Sequence, residues 1–253
     1  MRLAYVRTSA LMSSRELGRQ RLVLALALMV PAVFFGVVLA TTASREVPVM
    51  LAAAGRSVVT VDARRQALLF ISIAAAGLIS AFIAANLVQR QQDVSRRLVL
   101  CGYRAAELLL ARLLVLLVVI VAAALYTWLM LALVARPVAA PGVAAGIALA
   151  ALVYGCYGLL VGVTFRRDLE AVFAILVLVN IDAGWLQNPI YYEGARARWL
   201  IEVLPAHFPS QIAYVTAFTA ERVGRPVLGS VLYAGVFLLA SAAVYAARMR
   251  IAR

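Results

Sequence analysis

The sequence contains no lysine: all 24 basic residues are arginine. This excludes Schiff-base chemistry and the phosphate-binding pattern G-x-x-x-x-G-K-[ST], so the chain is not a nucleotide hydrolase of that type. There is one histidine, His207, with no second histidine or cysteine near it in the sequence. A metal or nucleophile-base role has no partner there, and His207 reads as a polar residue at a membrane surface. The two cysteines, Cys101 and Cys156, are too few for a disulfide framework, form no C-x-x-C pair, and read as small packing residues. The hydrolase signatures G-x-S-x-G and H-E-x-x-H are missing, which disfavours an intramembrane enzyme. Charge is scarce, at 14% of residues, and acid scarcer still: 11 acidic residues leave a net +13.

What fills the chain instead is apolar. Of 253 residues, 65% are hydrophobic, against roughly 45–50% in soluble domains. A soluble globular protein and a disordered chain are both excluded. A transmembrane helix needs about 20 mostly apolar residues, and six segments qualify: about 22–44, 66–89, 113–135, 138–165, 169–190 and 227–247. The fifth qualifies only if Asp182 is tolerated at depth. Six spans put both termini on one side. If that side is cytoplasmic, inner segments hold 15 arginines and outer segments 9, as the positive-inside rule requires. The basic excess then reflects orientation against anionic lipid and not nucleic-acid binding. The alternative that the first apolar run is a cleaved signal is disfavoured, because the run exceeds a signal core and its arginine-rich lead is long.

The expected organisation follows from these spans. Residues 1–21 form a cytoplasmic amphipathic helix lying in the interface, with Leu3, Val6, Ala10, Ser14 and Leu17 on one side and Thr8, Arg15 and Arg19 opposite. Residues 22–247 form the six-helix domain, and Pro31 bends its first helix. The spacings Gly142 to Gly146 and Gly158 to Gly162 allow close helix approach. Trp128, Trp185, Tyr191, Tyr192 and Trp199 suggest an outer aromatic belt. Residues 191–226 are too apolar for an exterior loop and read as short re-entrant or interfacial helices, broken at Pro205 to Pro209, with Ser210 as a cap for the second. Residues 248–253 are a cytoplasmic tail. In the inner segment 90–112, Arg90, Arg97 and Arg104 recur every seven residues with Asp93 four before Arg97, which in a helix makes one polar stripe, while Val94, Leu98 and Ala105 line another side. On periodicity alone such a stripe serves lipid phosphates or a partner protein equally well.

Together these features resemble the membrane subunit of an ABC exporter of the ABC-2 type. The residues that carry the resemblance are the basic lead ending Arg19-Gln20-Arg21, Pro31 followed by Phe34-Phe35-Gly36, the long connection Arg90 to Arg112 and the broken apolar segment before the last helix. The match is one of architecture more than of an exact motif: the family's acidic-basic pair and Gly-Thr are replaced by Gln89-Arg90, Asp93-Val94 and Gly102.

The resemblance implies an all-α polytopic permease in which Arg90, Asp93, Arg96, Arg97, Leu98, Leu100, Tyr103 and Arg104 belong to a coupling helix that docks on a separate ATPase. ATP and magnesium would be held by that subunit, and none by this chain. A second permease subunit, identical or homologous, would complete the transporter in a bacterial cell membrane. The polysaccharide-exporter signature is absent, which points to a small amphipathic or hydrophobic cargo such as a drug, antibiotic or lipid. Phe34, Phe35, Phe70 and Phe82 are candidates for a substrate path by resemblance. Asp182, an acidic residue deep inside the fifth span, and the neutral Asn86 and Asn180 join them. The rival class is a secondary transporter or channel with no ATPase partner, which ordinarily carries intramembrane charges and discontinuous helices in both halves; here only Asp182 qualifies.

Overall fold

In the computed structural model, residues 3–165, 167–189, 196–221 and 224–251 are described. Among these residues, six helices are long and apolar enough to cross a membrane: Arg21–Thr41, Ala63–Arg90, Ala106–Val134, Ala140–Thr164, Asp168–Leu186 and Arg225–Arg248. By length and composition this is a polytopic membrane protein.

The chain begins with α1 (Leu3–Arg19), which turns at Gln20 into α2 (Arg21–Thr41). Pro31 lies inside α2 and removes a backbone donor there. The Tyr126 hydroxyl donates to Leu28 O at 2.5 Å, supplying a hydrogen bond in the turn that the proline disturbs.

An antiparallel hairpin follows, β1 (Glu46–Leu51) and β2 (Ser57–Asp62), paired from Glu46 with Asp62 to Leu51 with Ser57. This corrects the all-helical expectation. The segments Glu46-Val-Pro-Val-Met-Leu51 and Ser57-Val-Val-Thr-Val-Asp62 are rich in β-branched residues around a turn in which Gly55 and Arg56 both adopt positive φ, of 64° and 59°. The hairpin is anchored to the bundle: Val49 and Leu51 are buried in the main core, and Ala53 N donates to Gln211 Oε1 at 3.1 Å.

Asp62 ends the hairpin and caps α3 (Ala63–Arg90) by accepting from Arg64 N and Arg65 N. Then come α4 (Gln92–Leu100), α5 (Ala105–Val134), α6 (Ala140–Thr164) and α7 (Asp168–Ile181), the last continuing as a π-helical turn, Asp182–Leu186. Two short helices, α8 (Arg198–Val203) and α9 (His207–Phe218), precede α10 (Arg225–Ile251). The break between α8 and α9 falls where expected, but α9 starts at His207, so Ser210 sits buried in its first turn and does not cap it.

The core forms where small residues let backbones meet. A Cβ on Gly158 would lie 2.2 Å from Ala81 O, and one on Gly162 would lie 2.8 Å from Ala85 O, so α6 presses directly on α3. On another side of α6, Gly142 and Gly146 meet Thr216 and Ala213 of α9. Because the α6 numbers rise as the α9 numbers fall, the two helices run antiparallel.

Candidate functional site

Three places in the fold collect the residues singled out from the sequence. The first is a groove of about 440 Å³ between α2, α3 and α7. Val23, Leu26, Ala27 and Val30 of α2 face Leu78, Ile79, Phe82 and Ile83 of α3 and Ala171, Val172 and Ile175 of α7. Its polar wall residues, Asn86, Gln89 and Asp168, all stand toward the end of the bundle that bears α4. Asn86 Oδ1 is buried without a hydrogen-bond partner among the described residues, while Gln89 Nε2 donates to Phe165 O at 3.4 Å. A second groove, of about 580 Å³, lies between α1 and α5 with Leu24 of α2 at its edge, and its one charged wall residue among the described residues is Arg7.

The second place surrounds Asp182. Its side chain is fully buried and accepts from the Tyr154 hydroxyl at 2.6 Å, Ala206 N at 2.9 Å and Gln187 Nε2 at 3.2 Å. Gln187 Nε2 also donates to Ile201 O, so its Oε1 is the atom turned toward His207 Nδ1, 3.3 Å away. An acceptor there requires the proton on Nδ1. The network joins α6, the π-helical turn and the turn between α8 and α9. The carboxylate takes up an amide at the start of α9, where helical N–H groups lack intrahelical partners and negative charge is favoured. Tyr154 lies about 18 Å along α6 from Gly142 at helical rise, so the α8–α9 turn reaches the middle of the bundle. His207 is therefore buried in a polar network and not at a surface.

The candidate path residues thus divide. Phe82 and Asn86 share the groove, Phe35 is buried and Phe70 packs against the main core, and Phe34 is exposed. Asn180 is also exposed, its Nδ2 donating to Leu176 O within its own helix. Asp182 lines neither groove.

The third place is the corner around α4. The seven-residue arginine spacing does not run along one helix: Arg90 ends α3, Arg97 lies in α4 and Arg104 is the N-cap of α5. The turn at Gln91 and the positive φ of Gly102, 94°, interrupt the helix between them. The three arginines are nevertheless all exposed, as are Val94 and Leu100. Leu98 and Tyr103 turn inward against α1, with the Tyr103 ring edge-on to Tyr5 at 4.6 Å. The side chains of Asp93 and Arg96 lie outside the described residues, as do Tyr191 and Tyr192. Cys101, expected to be a packing residue, is exposed at the end of α4, whereas Cys156 is buried.

What holds this corner was not foreseen. Gln91 accepts from Ser13 Oγ at 2.9 Å and donates to Glu16 at 2.7 Å, tying α1 to the turn before α4. Its carbonyl accepts from Arg112 Nη2 at 3.2 Å, and the buried Arg112 guanidinium sits 5.2 Å from the centre of the Tyr245 ring in α10. A glutamine in a run of polar residues carries no sequence signal for this. Arg112, a cation inside an apolar segment, does.

No protein-family model matches the chain, and no curated protein matches it significantly.

Proposed function

We propose that the chain is the permease subunit of an ATP-driven ABC exporter that moves a small amphipathic or hydrophobic substrate outward with a separate ATPase. The observation that carries this reading is the α4 corner. A short amphipathic helix projects between two spans, exposes Arg97, Val94 and Leu100 with Arg104 just beyond, and is fixed from behind by Gln91, Ser13, Glu16 and Arg112. A helix that transmits force needs an exposed docking face and a rigid attachment, and this one has both. The absence of lysine, and with it of the phosphate-loop pattern, assigns hydrolysis and its magnesium to the partner.

The remaining parts fit that role. α1 is the interfacial helix at the cytoplasmic surface of a bacterial cell membrane, with both termini inside. α8 and α9 are the re-entrant pair, a reading supported by the run of α9 along α6 down to the level of Tyr154. A second permease subunit completes the path. Phe82 and Asn86 in the α2–α3–α7 groove are the path residues that the fold favours.

The test is a double charge reversal, Arg97→Glu with Arg104→Glu. The variant should insert and purify normally but lose co-purification of its ATPase, or lose substrate-stimulated hydrolysis in reconstituted vesicles. Wild-type association and transport in this variant would sink the coupling role, leaving these arginines to hold lipid phosphates.

A further inference from the structure

The chain carries 24 arginines against 11 acids, yet among the described residues no arginine lines the groove between α2, α3 and α7, and the one ionisable residue of its wall is Asp168. Arg167, next in sequence, lies 3.9 Å from Glu170. Among the described residues, no basic side chain comes within ion-pair distance of Asp168. A carboxylate in the first turn of α7 is favoured by the helix dipole, which accounts for Asp168 taken alone. The rest of the described groove wall is apolar but for Asn86 and Gln89, so a ligand there meets one negative charge at the end of an apolar trough.

We propose that this groove binds a cationic amphiphile, with a head bearing N–H donors beside Asp168 and Gln89 and an apolar body running along Phe82, Ile79 and Leu78. From Gln89 to Leu78 the groove follows about 16 Å of helix, enough for a dodecyl chain. At about 440 Å³ it falls in the size range of small-molecule sites. The neighbouring groove gives the contrast: there the charged wall residue is Arg7, which suits a lipid phosphate. The two grooves therefore differ in the sign of head group they suit. This names the charge of the exporter's cargo and rests on the exporter reading for transport, but the binding itself needs no ATPase.

The test uses the full chain in nanodiscs of zwitterionic lipid with radiolabelled dodecylamine, measured against empty nanodiscs. Binding should be saturable and displaced by unlabelled dodecylamine but not by dodecyl sulfate. Asp168→Asn should weaken it by about tenfold, the scale of one charge-assisted hydrogen bond. Asp168→Glu should retain it. Because Asp168 is exposed, its variants should elute and melt like wild type. Val172→Trp, which fills the groove without touching its charge, should also abolish binding. Absence of a saturable component, equal displacement by dodecyl sulfate, or wild-type affinity in Asp168→Asn would overturn the assignment. None of these results bears on ATPase co-purification, so the two readings fail separately.

Discussion

The packed half of the molecule and its open flank obey different rules. In the apolar window of α6, 72% is buried inside the chain, and in that of α3, 61%; in α2 the figure is 11%. The packed half is built by subtraction. Gly158, Gly162, Gly142 and Gly146 remove side chains so that backbones meet, which in lipid is where dispersion and close approach have to act, since lipid tails are as apolar as leucine. The flank is built of large residues that meet little. Leu22, Met29, Val33 and Phe34 of α2 are exposed, and a glycine such as Gly36 has nothing within 4 Å of where a Cβ would lie. The groove between α2, α3 and α7 lies where this sparsely packed helix meets the core.

The largest effect should come from breaking the packed half. Gly158→Leu drives a side chain into Ala81 O, a backbone atom that cannot swing aside. Overpacking of this kind should cost about 3 kcal/mol or more, and the readout is loss of monodisperse protein and of its thermal transition. Gly36→Leu, the same substitution on the flank, should leave both unchanged. If the two variants behave alike, the distinction between core and flank is wrong.

The sequence made these regions unequally legible. Spans were readable because twenty apolar residues leave a signal that no packing detail can erase, and the glycine spacings on α6 announced close contact. The partners of those glycines were not announced, because small-xxx-small says only that something approaches. The hairpin is readable in principle from Val47, Val49, Val59 and Val61, but these lie between the apolar runs 22–44 and 66–89, in segments too short for a criterion of span length to mark. Asp182 was flagged by its charge in an apolar run. What it holds was not, since Tyr154, Gln187 and Ala206 lie 28, 5 and 24 residues away and only the fold brings them together. Arg90, Arg97 and Arg104 illustrate the opposite error, in which a true periodicity spans three different elements.

A smaller effect should separate the two polar residues at the end of α7. Asp182→Ala leaves the Tyr154 hydroxyl and Ala206 N buried without their acceptor, a loss of about 2 kcal/mol. Hydrogen exchange should report it as faster exchange at the start of α9, from Ala206 onward. Asn180→Ala removes only a bond to Leu176 O on an exposed face and should change neither stability nor exchange. Equal responses would mean that the network around Asp182 does not hold the α8–α9 turn.

The smallest effect belongs to the seam between hairpin and bundle, where Asp62 caps α3. Its carboxylate accepts from the Ser44 hydroxyl, from Arg64 N at 2.8 Å and from Arg65 N at 3.1 Å. The Ser44 bond first, joined by the two amides, holds its pKa below the ordinary carboxylate value against the opposing effect of burial. A lowered pKa in the folded state means that ionised Asp62 stabilises the fold above its unfolded pKa, near 3.9 for a free aspartate, and that this stabilisation is lost as pH falls through the lower folded value. Asp62→Ala should cost about 1 kcal/mol, the usual worth of an N-cap, and loosen the amides of Arg64 and Arg65 first. Asp62→Asn keeps an oxygen for those amides but cannot titrate. In hydrogen exchange across an acid series, corrected for intrinsic rates, protection at Arg64 and Arg65 should fall with pH in the wild type and stay flat in Asp62→Asn. Parallel curves would mean that the cap contributes nothing to the junction, and that the buried Val49 and Leu51 with the Ala53–Gln211 bond hold the hairpin without it.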